Sequence, residues 1–226
     1  MKLFGSISGL IFSVVNAFAG DVTGHAYVTK HLTKKALSPI VYNLRGTAGP
    51  APLPDTEPAN EFDRMVVILE GANPEPGPPV AAVLNQQGSR FDPELIVVPT
   101  GSSVQFPNFD PIFHNVFSLS GAKKFDLGYY PAGQTRIVKF DEPGVVQVYC
   151  HLHPNMYAAI VVVPNRWYAK PGDDGTFAFH DVPPGTYRLV AWHINAGFFR
   201  REVHVAATGG TDVVVDIPVR DEERSR

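Results

Sequence analysis

The sequence predicts an all-β protein built from two β-sandwich units, and three observations support this fold class. The 226 residues include 20 glycines and 21 prolines, a share of turn-forming residues that favours short strands over long helices. Between Val80 and Val163, short apolar runs recur at regular intervals between turn residues, which is typical of an antiparallel sandwich. After Val163, further strand-like runs separated by a Pro-Gly turn indicate a second unit.

Composition and charge narrow the classes of function. The chain is 44% hydrophobic and 18% charged, which is typical of a globular protein rather than a disordered one. Its formal net charge is −3 and it has no basic run, so nothing in it predicts a nucleic-acid-binding surface. After the N-terminal segment no apolar run is long enough to span a membrane.

The N-terminal segment has the pattern of a cleavable signal peptide covering residues 1–19. Lys2 supplies a positive start, residues 3–15 are mostly apolar, and Ala17-Phe18-Ala19 fits the small-x-small rule for cleavage before Gly20. The apolar run is too short to span a bilayer. We therefore expect a periplasmic or otherwise exported protein; the alternative is a buried N-terminal strand or an uncleaved anchor.

The predicted strands fall into groups separated by Pro-rich segments. RMVVILEG (64–71) has the pattern of a buried strand, whereas residues 46–62 and 72–79 are Pro-rich and read as an exposed loop and a domain boundary. The segment GAKKFDLGYYPAG (121–133) is interpreted as a loop with aromatic packing.

Cys150 is the only cysteine in the chain. Exported proteins normally use cysteines in disulfide pairs, so an unpaired one indicates either an intermolecular bridge or a thiol with a chemical role. Metal ligation is one such role. The alternative is a free cysteine that is buried for packing alone.

Spacing favours a metal site. Cys150, His153 and Met156 follow one another at intervals of three, so a tight loop after a strand can direct them to one point. A fourth donor must come from another strand, and His114 in PIFHNVFS stands at the start of one. A thiolate, two imidazoles and a thioether are the donor set of copper electron-transfer sites; zinc also binds such residues, but a methionine favours copper.

These motifs resemble a known family. FPNFDPIFHNVFS followed by GVVQVYCHLHPNMYAAIVVV is similar to the cupredoxins of the plastocyanin–amicyanin type, which implies a Greek-key β-sandwich over residues 80–163. The resemblance implies that one copper ion is bound by His114, Cys150, His153 and Met156. It also implies that Asn115 ties the two ligand loops together by hydrogen bonds.

The remaining histidines are interpreted without a ligand role. His151 follows the cysteine on an extended segment and should point to the opposite face, so we expect it beside the site or at the surface. The others lack partners at ligand spacing and are interpreted as surface or structural residues: His25, His31, His180, His193 and His204.

The second unit resembles the small carboxypeptidase regulatory-like or transthyretin-like sandwich, on the residues DDGTFAFHDVPPGTYRLVAWH. We expect residues 20–71 and 164–220 to form this sandwich, with the cupredoxin unit inserted between them and a charged tail at 221–226. The alternative is a tandem arrangement in which the N-terminal segment packs on the cupredoxin unit. The combination also resembles bacterial plastocyanin-like proteins labelled as methylamine-utilisation proteins.

Four functions remain open from the sequence. The resemblance favours a non-enzymatic electron carrier that meets redox partner proteins transiently near His153, beside Leu152, Pro154 and Ile112. A copper carrier or storage protein is the main alternative. A copper enzyme would need a second copper site or a vacant ligand position, and the fourth possibility is a metal-free binding module.

Overall fold

The computed structural model describes residues 19–29, 60–71 and 74–217, and these residues form mainly β-strands. Among them no helix is long and apolar enough to cross a membrane. Residues 1–18 of the predicted signal peptide, most of the Pro-rich segment at 46–62, and the tail at 221–226 lie outside the described residues.

Seventeen strands and one 3-10 turn (Glu61–Arg64) follow one another in these ranges. The strands are β1 Gly20–Val28, β2 Met65–Glu70, β3 Ala81–Val83, β4 Asn85–Gln87, β5 Arg90–Asp92, β6 Leu95–Pro99, β7 Ser102–Pro107, β8 His114–Ser120, β9 Lys123–Tyr130, β10 Thr135–Phe140, β11 Gly144–Tyr149, β12 Tyr157–Val163, β13 Tyr168–Ala169, β14 Thr176–Val182, β15 Gly185–His193, β16 Gly197–Val205 and β17 Thr211–Ile217.

Four sheets carry most of these strands, and we number them in stacking order. Sheet I has the order β14-β1-β17, and sheet II the order β13-β2-β15-β16. Sheet III has the order β6-β12-β11-β8-β9, and sheet IV the order β10-β7-β3. Strands β4 and β5 form a separate hairpin.

Three apolar layers separate the four sheets. The first lies between sheets I and II and includes Val22, Leu69 and Phe179. The second lies between sheets III and IV and includes Phe106 and Ile160. The third lies between sheets II and III and joins the two sandwiches. Its buried members are Val66, Ile68, Leu95, Tyr157, Ala159, Val161, Val163, Val190, Trp192 and Ile194.

The third layer explains why some strands lack an alternating pattern. In β12 every residue is buried, because Ala158, Ile160 and Val162 face sheet IV while Tyr157 and Val161 face sheet II. Strand β2 is buried on both faces in the same way. A strand covered on both sides has a continuous apolar run rather than an alternation, and RMVVILEG has this pattern.

Strands from near the start and near the end of the described residues pair with each other. Strand β1 pairs antiparallel with β14 and parallel with β17. Strand β2 pairs antiparallel with β13 and β15, and it packs against sheet III only through side chains. The division into 20–71 plus 164–220 and 80–163 stays a prediction.

One interpretation of the sequence was wrong. Residues 123–130 of GAKKFDLGYYPAG form strand β9, which pairs with β8 at the edge of sheet III. Its partly buried Phe125 and Leu127 alternate with exposed Lys124 and Asp126, as expected of a strand with one solvated face. The lysines and Gly128 obscured that alternation in the sequence.

Candidate metal centre

The hairpin between β11 and β12 carries three of the four predicted donors. Tyr149 and Tyr157 form the last strand pair, and the loop 150–156 closes beyond them. The backbone N–H of Cys150 donates to the carbonyl of Met156 at 3.3 Å, and the N–H of Met156 donates to the carbonyl of His153 at 2.9 Å. The loop backbone therefore folds back on itself between the predicted donors.

The fourth predicted donor, His114, begins strand β8 and is fully buried. Strand β8 pairs antiparallel with β11 through Phe117 and Tyr149. Continued toward the start of β8, this register brings position 114 level with the loop that follows β11. Two neighbouring strands of one sheet thus deliver their donors to the same end of the sandwich.

Three donor atoms come together at this end. The Nδ1 atoms of His114 and His153 are 3.2 Å apart. The Sγ of Cys150 lies 4.0 Å from Nδ1 of His114 and 3.7 Å from Nδ1 of His153. These residues are the one group of three or more metal-binding His, Cys, Asp or Glu side chains found within the described residues.

The triangle of donors has the size that one transition-metal ion requires. Protein nitrogen and thiolate sulfur ligands lie about 2.0–2.3 Å from such an ion. A circle through three atoms with these separations has a radius of about 2.1 Å. Because Cys150 and His114 are buried, a thiolate there also needs a nearby positive charge. Both properties fit a single bound metal ion.

Met156 is the last residue of the loop 150–156 that also carries Cys150 and His153. Its side chain is fully buried in the apolar layer that also contains Cys150 and Val148. A buried thioether would be a soft donor for copper beside a thiolate and two imidazoles. Its assignment as a ligand stays a prediction.

His153 is the donor nearest the solvent. Its side chain is half-buried, whereas His114 is wholly enclosed. Burial lowers the pKa of His153, the neighbouring His114 lowers it further, and Asp110 partly offsets both effects. A lowered pKa favours the neutral imidazole, which is the form that binds metals.

Asp110 is an unpredicted member of the site. Its Oδ2 lies 2.7 Å from Nε2 of His114, on the side of the ring away from the donor triangle. Burial raises the pKa of Asp110, but hydrogen bonds from the Ser89 backbone, His114 and the Gly88 backbone outweigh burial and leave the pKa below its usual value. The carboxylate is therefore held in its charged form next to the buried imidazole.

The structure places His151 outside the donor group. Its ring is 45% exposed and faces Asp126 at 3.7 Å. It stacks on Phe117 with a centroid distance of 3.8 Å and an interplanar angle of 5°. This position agrees with the expectation that His151 lies beside the site or at the surface.

The expected role of Asn115 was wrong. Its Nδ2 donates to Oδ1 of Asp126 at 2.6 Å and to the carbonyl of Gly128 at 3.3 Å, both on β9. Its Oδ1 is buried without a hydrogen-bond partner. Asn115 therefore ties β8 to β9 rather than to the loop 150–156.

Sequence reasoning also missed the buried polar support behind the site. Tyr130 donates its hydroxyl to the carbonyl of Phe106 at 3.0 Å and accepts from Nε2 of Gln86. Burial raises the pKa of Tyr130 to about 12, so the hydroxyl stays protonated. No sequence pattern pointed to Gln86, but the position of Asp110, four residues before His114, could have suggested its role.

Several solved structures resemble part of the chain at low identity. A copper-containing nitrite reductase (NirK) from Thermus scotoductus SA-01 is 24% identical, with a TM-score of 0.36 over 38% of this chain and 23% of that one. A purple cupredoxin from Nitrosopumilus maritimus is 23% identical, with a TM-score of 0.33 over 36% of this chain and 99% of that one. A variant of amicyanin with Cu(I) is 19% identical, with a TM-score of 0.35 over 43% and 98%. The chain spans about a quarter of the nitrite reductase.

Comparison with curated proteins and with family models gave different results. No curated protein matches the chain. Residues 80–163 match the model of one family, described as copper binding proteins of the plastocyanin/azurin family. This stretch contains the donor triangle. Over residues 80–163 the chain therefore matches the cupredoxin family, and a single copper ion is the cofactor that this match and the donor triangle support.

Proposed function

We propose that the protein is an exported, single-copper electron carrier and not an enzyme. The observation that carries this proposal is the donor triangle of His114, Cys150 and His153, to which the proposal adds Met156 as the fourth ligand. Copper held by such donors supplies a one-electron Cu(II)/Cu(I) couple. The family match over residues 80–163 supports the copper-binding part of the proposal.

The protein part of the mechanism is to hold the donors rigidly and keep water out. Cys150, His114 and Met156 are buried, and each lies at the end of a strand or in a loop closed by backbone hydrogen bonds. Donors held in place by a strand and by a closed loop need little movement when the charge of the site changes. Little reorganisation is the property that a fast electron carrier needs.

The surface around His153 suits brief contact with a partner. Four large apolar side chains are exposed in the loop before His114 and in the loop that carries His153: Phe109, Ile112, Phe113 and Leu152. Phe109, Ile112 and Phe113 lie in the loop before His114, and Leu152 directly precedes His153. We propose that a redox partner protein docks on this apolar surface, with the small interface that such transient complexes use.

An optical spectrum tests the copper site. The copper-loaded protein is expected to absorb visible light intensely as Cu(II), to lose the band with a reductant, and to regain it with an oxidant. Cys150→Ser should abolish the band because it removes the thiolate. His151→Ala is the matched control on the same loop, and it should keep the band. Absence of the band in the unmodified, copper-containing protein would contradict the proposal.

Copper exchange separates this function from that of a copper carrier or storage protein. A carrier should lose Cu(I) to a mild chelator within the time of mixing. An electron carrier with buried donors should lose it slowly while it is reduced and reoxidised quickly. Rapid loss to the chelator, together with slow reduction, would favour the carrier.

Export and the absence of catalysis are separate parts of the proposal. The N-terminal pattern Ala17-Phe18-Ala19 supports cleavage before Gly20. Expression of the full chain in a bacterium, followed by fractionation and N-terminal sequencing, should recover a mature protein that begins at Gly20. An uncleaved chain in the cytoplasmic fraction would contradict export.

Turnover of nitrite or oxygen by the copper-loaded protein would contradict the non-enzymatic assignment.

A further inference from the structure

The ring of His114 has different partners on its two nitrogens. Nε2 lies 2.7 Å from Oδ2 of Asp110, whereas Nδ1 faces Nδ1 of His153 and Sγ of Cys150. A neutral imidazole carries one N–H. If Nε2 donates its hydrogen to the carboxylate, Nδ1 must present a lone pair to the donor triangle, which is what a metal ligand requires.

The carboxylate that accepts this hydrogen bond is held by a turn. Gly88 and Ser89 connect β4 to β5, and both have positive φ angles, of 63° and 55°. This conformation matches the tight two-residue turns of β-hairpins. The Gly88 N–H donates to Oδ1 of Asp110 at 2.6 Å, and the Ser89 N–H donates to Oδ2 at 2.8 Å. The hairpin thus provides two backbone donors for one buried carboxylate.

The backbone of Asp110 is fixed as well. Oδ1 of the buried Asn108 accepts from the N–H of Asp110 at 3.0 Å. Nδ2 of Asn108 donates to the carbonyl of Ile112 at 2.8 Å and to that of Tyr130 at 3.1 Å. The loop from 108 to 112 is therefore anchored to β9, and Asp110 cannot turn away from His114 without breaking these bonds.

We infer that Asp110 is a positioning residue of the copper site, which selects the His114 tautomer and favours the oxidised metal through its charge. The inference rests on the proposed function, because it assigns the tuning of that same site. A carboxylate behind a ligating histidine fixes the ring orientation and makes the imidazole a stronger electron donor. A stronger donor and a nearby negative charge both stabilise Cu(II) more than Cu(I), so Asp110 lowers the reduction potential.

Two substitutions separate the charge from the hydrogen bond. Asp110→Asn keeps an oxygen that can accept from Nε2 of His114 but removes the charge. Asp110→Ala removes both. Asp126→Asn is the matched control, because Asp126 also accepts a backbone N–H, from Gly128 at 2.9 Å, and touches no member of the donor triangle.

Three measurements are made on each variant. Nitrogen-15 NMR of the metal-free protein reports which ring nitrogen of His114 carries the hydrogen. Spectroelectrochemistry of the copper-loaded protein reports the reduction potential, and competition with a chelator reports copper affinity. Asp110→Asn should keep the Nε2–H tautomer and raise the potential. Asp110→Ala should mix the tautomers, raise the potential, and weaken copper binding by about 10–100-fold. Asp126→Asn should match the unmodified protein in all three.

The outcomes distinguish this inference from the proposed function. If both Asp110 variants keep the potential, the copper affinity and the tautomer of the unmodified protein, Asp110 only holds the hairpin and the inference is wrong. If the unmodified copper-loaded protein lacks the visible band, the proposed function fails. The NMR measurement on the metal-free protein still shows whether Asp110 selects the His114 tautomer, and a mixed tautomer in the unmodified protein would overturn that part.

Discussion

Each of the two sandwiches contains one buried histidine paired with a carboxylate, and the two pairs differ in one respect. In the cupredoxin sandwich, His114 and Asp110 are 2.7 Å apart, with 0% and 10% of their side chains exposed. In the second sandwich, His193 and Glu61 are 3.0 Å apart, with the same exposures. Burial of the histidine and its pairing with a carboxylate therefore do not show which of the two histidines could bind a metal.

The difference lies in what the other ring nitrogen contacts. Nδ1 of His193 accepts a hydrogen bond from the backbone N–H of Asn195 at 3.2 Å, so both of its nitrogens are occupied within the sandwich. Nδ1 of His114 instead faces Cys150 and His153. A buried histidine becomes a candidate ligand when one nitrogen faces other soft donors, whereas His193 holds β15 to the turn at residues 61–64.

Replacing each histidine by glutamine should give the largest contrast between the pairs. His114→Gln removes an imidazole of the donor triangle, so the visible band of the copper-loaded protein should disappear. His193→Gln should leave the position and intensity of the band unchanged, because His193 lies outside that triangle. Absorption spectra of both variants, recorded at equal copper content, check this prediction.

A retained band in His114→Gln would show that His114 is not a ligand. A lost band in folded His193→Gln would show that the second sandwich controls the copper site. Circular dichroism of each variant establishes that it is folded before its spectrum is interpreted.

Local spacing explains how much of the site could be predicted. One loop carries Cys150, His153 and Met156, so their spacing is visible in the sequence. His114 could be found because it stands at the start of a predicted strand. The pairing of His193 with Glu61 spans 132 residues and depends on β2 pairing with β15, which no short pattern reports. The turn at Gly88 and Ser89 was missed for the same reason, since its contact with Asp110 is made through backbone N–H groups.

The fold, too, could be predicted where a short run of residues is informative, but not where distant parts of the chain meet. Runs such as RMVVILEG and YAAIVVV predicted strands because both faces of β2 and β12 are apolar. Strand β9 was missed because it lies at a sheet edge, where Lys124 and Asp126 face solvent. The apolar layer between the sandwiches could not be predicted, because a run buried on both faces does not reveal what covers it.

The second-largest expected effect is on the free energy of unfolding, and it comes from the apolar layer between sheets II and III. Trp192 is 4% exposed between sheets II and III, so Trp192→Ala should lower the free energy of unfolding by about 3–5 kcal/mol. Phe198→Ala is the matched control, because Phe198 is 48% exposed and touches the Trp192 ring at a centroid distance of 6.3 Å. The control should cost no more than about 1 kcal/mol. Chemical denaturation followed by circular dichroism measures both.

The same denaturation curves test whether the two sandwiches unfold together. With the layer intact, a single transition is expected, since sheets II and III share one apolar core. Trp192→Ala should weaken that coupling. A Trp192→Ala protein as stable as Phe198→Ala would mean that the layer contributes little and that the sandwiches are independent.

The smallest expected effect is a pH dependence from the second pair. Burial lowers the pKa of His193, while Glu61 offsets part of that change and Arg64 adds to it. An unfolded chain binds a proton at histidine near pH 6.5, whereas folded His193 stays neutral to lower pH. The unfolded state therefore binds more protons below about pH 6.5, and the stability contributed by neutral His193 is lost as the pH falls toward its folded-state pKa.

His193→Gln isolates this contribution, because the lowered pKa of His153 acts in the same direction and is present in both proteins. The difference in unfolding free energy between the unmodified protein and His193→Gln should shrink between pH 7.5 and the folded-state pKa. His204→Gln, at an exposed position on β16, should retain the slope of the unmodified protein. A difference that stays constant with pH would mean that His193 has the same proton affinity when folded and unfolded.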